Sequence, residues 1–65
     1  MSQNEMIVDY LSKGNSLTAL EALNQFGCMR LAARCDELKK HGKPIRVEVI
    51  ELDNGKHIAR YWMDR

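Results

Sequence analysis

The sequence predicts an α+β fold, three short helices followed by a two-stranded β-hairpin, and three observations carry that prediction. Capping-box spacings open two helices, at Ser2-Gln-Asn-Glu5 and Thr18-Ala-Leu-Glu21. Apolar residues keep a three-and-four rhythm as far as Gly42. Beyond Pro44 the rhythm falls to two, and it reverses across Asp53-Asn-Gly-Lys56, a hairpin turn signal. The chain has 65 residues, which is read as one domain over 1–65. Hydrophobic residues make up 45% and charged ones 29%, a globular rather than a disordered composition.

The first helix is expected over about residues 3–13. Met6, Ile7, Tyr10 and Leu11 share one face, and Gly14 follows the last turn. In the second helix Thr18 is the cap, and Leu17 and Ala22 occupy the positions of a hydrophobic staple. Leu20, Leu23 and Phe26 are expected to form its apolar face, with Ala19 and Ala22 as small neighbours, and Gly27 stops it. From Met29 to His41 no Gly or Pro intervenes, so a third helix is expected there, with Leu31, Cys35 and Leu38 facing inward. Lys39, Lys40 and His41 suit the carbonyl end of its dipole, Gly42 terminates it, and Pro44 bars its resumption.

Ile45, Val47 and Val49 alternate with Arg46 and Glu48, the pattern of a strand with one buried side. The return strand is expected from about His57 to Met63. A three-residue loop with Gly55 in the left-handed conformation puts Ala59, Tyr61 and Met63 on the inner face with Val47 and Val49. It also sets Arg60 opposite Glu48. A two-residue Asn-Gly loop would shift the pairing and turn Trp62 toward Val47. Trp62 reads as a core residue; on the outer face beside Ile58 it would instead make an apolar patch suited to a homodimer contact.

Several function classes are disfavoured. The apolar runs are as short as Met6-Ile7-Val8, far below the roughly 20 residues of a membrane span, and the first residues lack a secretory pattern. A soluble cytoplasmic chain is expected. Cys28 and Cys35, two turns apart on one helix, would lie roughly 10 Å from each other, too far for a disulfide, so both read as buried free thiols. With His41 and His57 as the only histidines, no metal site and no cofactor is expected. An enzyme is not expected either, because neither His has a readable nucleophile or acid partner.

The net charge is only +1, yet it is unevenly spread. Residues 28–46 carry Arg30, Arg34, Lys39, Lys40, Lys43 and Arg46 against Asp36 and Glu37, while both flanking segments are net acidic. Phosphate binding responds to such a local field rather than to the total. Two short helices joined across a Gly-containing turn form a helix-turn-helix unit, whose second helix can enter a DNA major groove, and a hairpin directly after it is a wing.

At these residues the chain resembles the small winged helix-turn-helix DNA-binding proteins of bacteriophages and prophages. The resemblance rests on Ser16-Leu-Thr-Ala-Leu-Glu-Ala-Leu-Asn-Gln-Phe-Gly27 followed by Cys28-Met-Arg-Leu-Ala-Ala-Arg34, and on Gly42-Lys-Pro-Ile45, Asn54-Gly-Lys56 and Arg60-Tyr-Trp62. It implies a DNA-reading helix over about 29–41 and a transcription-regulating role. Arg30 and Arg34 would then read guanine or clamp phosphate, Ala33 would allow close approach, and Met29 would touch a thymine methyl. Lys40 and Lys43 would hold backbone phosphates, and Lys56 at the wing tip would contact phosphate or the minor groove. Glu37 would accept from a cytosine amino group or pair with Arg30, Arg34 or Lys40. The partner expected is double-stranded DNA, bound by a monomer or a homodimer. The same fold also serves a second reading, a module that grips a host or phage protein, or an excision or recombination accessory factor.

Overall fold

Both capping boxes form, and they set where the helices begin. The computed structural model describes residues 2–64. Ser2 Oγ accepts the Glu5 N–H at 3.1 Å, and the Glu5 carboxylate accepts the Ser2 N–H at 3.4 Å, opening α1 (Gln3–Ser12). After a two-residue strand, β1 (Leu17–Thr18), Thr18 and Glu21 exchange the same pair of bonds at 3.3 and 2.9 Å, opening α2 (Ala19–Phe26). Then come α3 (Leu31–Lys40), β2 (Ile45–Glu51) and β3 (His57–Met63).

The core is built where these elements meet. Ile7 and Leu11 enter from α1, Leu17 from β1, Ala22 from α2, Leu31, Cys35 and Leu38 from α3 and Ile45 from β2, with Cys28 from the turn before α3. Tyr10 and Phe26 pack edge to face at 5.5 Å and close the α1–α2 side. The inward row of α3 is therefore the one its periodicity predicts. In α2 the outcome differs: Ala22 is buried, whereas Leu20 is 67% and Leu23 44% exposed. The staple explains this, because Leu17 and Ala22 are both fully buried and fix the rotation of a helix only two turns long. Residues 22 and 26 then face inward, and Leu20 lies on the far side.

The third helix starts later than expected, at Leu31 rather than Met29. Gly27 adopts φ 65°, its N–H bonds to the Leu23 carbonyl at 3.0 Å, and the Cys28 N–H reaches the Ala22 carbonyl at 3.1 Å. This reversal turns Cys28 into the core, and the chain needs Met29 and Arg30 to swing out before α3 can begin. Met29 and Arg30 thus belong to the turn, and Cys28 does not share a helix with Cys35. Both cysteines are buried and free. The far end of α3 closes with a Schellman motif, Gly42 N–H to Lys39 carbonyl and Lys43 N–H to Leu38 carbonyl.

The hairpin takes the three-residue loop. Leu52 and Lys56 close it, with the Leu52 N–H on the Lys56 carbonyl at 2.7 Å, and Gly55 sits at φ 82°. The register follows: Val47 opposite Tyr61, Val49 opposite Ala59 and Glu48 opposite Arg60, whose side chains form an ion pair. The sheet has a third strand as well as the hairpin pair, since Leu17 and Thr18 pair with Tyr61 and Arg60, giving the order β1-β3-β2. The expected burial of Val47 and Val49 is not observed; they are 52% and 69% exposed. Of β2 only Ile45, at the base of the hairpin, enters the core; Tyr61 and Met63 of β3 pack against it, and the part of β2 beyond Ile45 lies outside. Trp62 shares the outer face with Arg60 and Ile58 and is half-buried rather than in the core.

Candidate nucleic-acid interface

Because Leu31, Cys35 and Leu38 point inward, the geometry of α3 decides what its other sides present. Ala33, Asp36, Glu37 and Lys40 lie on the side away from the core. Ala32 and Lys39 flank it toward β2, where both line a groove with Asp36, Ile45, Val47 and Tyr61. Arg34 flanks it toward α1. All of these except Ala33 and Arg34, which are half-buried, are exposed or line that groove.

The two arginines fare differently. Arg30 is the exposed N-cap residue, at φ −133° and ψ 58°, and has no ion-pair partner among the described residues. The Arg30 side chain makes no capping bond to the first turn of α3 and no acidic residue occupies that turn, so its N–H groups add to the positive field beside Arg30. Arg34 is turned toward α1, where its Nε donates to Gln3 Oε1 at 3.2 Å and its Nη1 to Glu37 Oε1 at 3.2 Å. Gln3 also donates from Nε2 to the Phe26 carbonyl at 3.4 Å, so this one amide ties α1 to the end of α2 and to α3. The two guanidinium groups therefore do not project together.

The acidic residues act on the cations around them. Glu37 pairs with Arg34, as helical spacing allows. Lys40 pairs with Asp36 at 3.1 Å rather than with Glu37. Among the described residues Arg30, Lys39, Lys43 and Lys56 have no ion-pair partner within 4.0 Å. Met29, 83% exposed, lies beside Arg30 in the turn. Lys43 follows the Schellman turn, and Lys56 stands in the exposed loop at the hairpin tip, its N–H donating to Asn54 Oδ1 at 3.0 Å. Met29, Arg30, Ala33, Glu37 and Lys40 are thus gathered on and before α3, whereas Lys56 belongs to the separate tip.

Two residues escaped the sequence reading. Lys39 belongs to the basic segment, and a helical wheel puts it beside Asp36 on the β2 flank. Gln3 carried no signal at all, since its role depends on a contact 31 positions away. Beneath the surface, burial first and then the neighbouring Cys28 push the Cys35 thiol up to about 11, so it remains protonated. Burial raises Tyr61 as well.

Among the described residues no group of three or more His, Cys, Asp or Glu is arranged to hold a metal ion, and no helix is long and apolar enough to cross a membrane. Neither the curated proteins nor the solved structures include a match to the chain. The family model described as "winged helix-turn-helix domain" matches residues 2–65, nearly the whole length. With three helices, the Gly27 turn between the second and third, and a hairpin after them, the chain belongs to that winged helix-turn-helix family, a DNA-binding fold.

Proposed function

We propose that this protein binds double-stranded DNA sequence-specifically, with the outward side of α3 in the major groove and the hairpin tip against the backbone. In this reading it is a transcriptional regulator of the phage or prophage kind. The observation that carries it is the exposed Arg30 at the entry to α3, without an ion-pair partner among the described residues and next to the small Ala33, which leaves room for a base edge to approach. Arg30 reads a base or clamps a phosphate, Met29 meets a thymine methyl, and Arg34 reaches phosphate from the α1 flank. Lys40 and Lys43 hold the backbone along α3, Lys56 holds it at the tip, and Glu37 orients Arg34. No cofactor enters this mechanism.

The test is selection of bound duplexes from a random library, then fluorescence anisotropy on the selected sequence. Arg30→Ala/Arg34→Ala is expected to bind it at least about tenfold more weakly than the wild type, from a loss of about 1–3 kcal/mol per specific arginine contact. Equal affinity of the two proteins would overturn the reading. The exposed Leu20 and Leu23 on α2 favour a second reading, a module that binds a host or phage protein, or an excision or recombination accessory factor. Failure to enrich any duplex at low salt would select it.

A further inference from the structure

The sheet order β1-β3-β2 leaves β2 at an open edge. Its seven residues, Ile45–Glu51, contain neither Pro nor Gly and pair with β3 in unbroken register. Long regular edges of this kind are templates for another strand unless they are blunted. Bonds at both ends of the hairpin, Asp64 N–H to Pro44 carbonyl and Leu52 N–H to Lys56 carbonyl, fix which residues face β3. By the alternation of an antiparallel ladder, Arg46, Glu48 and Ile50 bond to β3, while Val47, Val49 and Glu51 turn their N–H and C=O groups outward. On the same strand Val47 and Val49 expose their side chains.

We propose that this edge pairs with β2 of a second copy of the chain, antiparallel, about a two-fold axis through Val47. Only residues with outward main-chain groups can exchange bonds, so the permitted registers differ by steps of two. An axis at Glu48 sets Glu48 against Glu48, and one at Arg46 sets Arg46 against Arg46. An axis at Val49 aligns no opposite charges. With the axis at Val47, Arg46, which within its own chain pairs with Asp64, faces the second copy's Glu48 on both sides of the centre, so the strand is complementary to itself in charge. Val47 meets the second copy's Val47, and Val49 meets its Ile45, which shields side chains otherwise exposed. Arg60 already pairs with Glu48, so each Glu48 would lie between two guanidinium groups. The result is a continuous six-stranded sheet.

The proposal is independent of duplex binding and is tested without DNA, by sedimentation equilibrium of the full chain. The wild type is expected to dimerise. Arg46→Glu and Glu48→Arg should each weaken self-association at least about tenfold, because each variant meets itself with like charges. Their equimolar mixture should dimerise again, since every cross-strand pair is then opposite. Val47→Pro removes an outward N–H while leaving the β3 ladder intact, so it should give a folded monomer by circular dichroism even if a charge reversal unfolds the chain. A wild type that stays monomeric up to about 1 mM, or a dimer indifferent to Val47→Pro, would overturn the proposal.

Discussion

Arg30 and Arg34 lie four residues apart and meet opposite surroundings, so removing each should have a different signature. Arg30 is exposed and unpartnered among the described residues; Arg34 is anchored to Gln3 and Glu37. Arg30→Ala should lower duplex affinity by about 1–3 kcal/mol and leave the thermal midpoint unchanged. Arg34→Ala should lower affinity and also cost up to about 1 kcal/mol of stability, since a half-exposed pair is worth little but the Gln3 tie between helices is lost. Anisotropy and thermal unfolding measured in parallel separate the two, and an early-melting Arg30→Ala would assign that residue a structural role. Cys35 carries a pH prediction. Its thiol is raised in the folded protein to about 11 from an ordinary 9.0, so the native state favours the protonated form. That stabilisation is complete below about pH 9 and declines as pH rises toward about 11. Denaturant titrations across that range should show falling stability, with a shallower fall in Cys35→Ala. Tyr61, raised in the same direction, leaves a residual slope. An unchanged slope in Cys35→Ala would remove the thiol as the cause.

Thr18 holds two elements at once, which makes it the sharpest probe of how α2 is placed. Its hydroxyl caps α2, and its extended backbone, φ −101° and ψ 167°, continues β1 opposite Arg60. Thr18→Ala should cost about 1 kcal/mol, and Thr18→Ser should recover most of it, because serine caps equally well. Chemical unfolding of the three proteins checks this; equal losses in both variants would point to the methyl group instead of the cap. The double duty also explains which elements were legible in the sequence. Caps, glycine stops and the Asn54-Gly55 turn act through local chemistry, so the helix order, the hairpin and its register were readable. β1 was not, since two residues give no period and its pairing with β3 is distant in sequence. The start of α3 is illegible for a related reason. Nothing local in Cys28-Met-Arg30 forbids a helix, and it is the burial of Cys28 against the core that breaks it. Likewise the exposed Leu20, Val47 and Val49 have the spacing of core residues, and only the short α2 and the overhanging hairpin leave them outside. At the candidate interface the residue types and most positions were legible, whereas the bonds that turn Arg34 toward α1 were not.

At the scale of the whole molecule, a net charge of +1 makes DNA affinity depend on which cations are free. Arg34, Lys40, Arg46 and Arg60 are each paired with a carboxylate, whereas Arg30, Lys39, Lys43 and Lys56 have no such partner among the described residues. Each phosphate a cation neutralises releases counterion from the DNA, and a cation shared with a carboxylate neutralises phosphate less fully, so the free ones should dominate the salt dependence. If each neutralises one phosphate, the plot of log affinity against log salt should have a slope of about −3 to −4. A count of every cation in and around the basic segment would demand a far steeper one. The decisive variant is Asp36→Asn. It removes a carboxylate from the outward side of α3 and frees Lys40, with which Asp36 pairs on the exposed surface, so it should scarcely change stability. Duplex affinity should rise at low salt, and the slope should steepen by up to about one unit as Lys40, no longer shared with the Asp36 carboxylate, neutralises its phosphate in full. Anisotropy titrations over a range of salt concentrations measure both quantities. Unchanged affinity and slope would mean that Lys40 and the outward side of α3 do not face the duplex, which would leave the Arg30 turn and the hairpin tip to bind it alone.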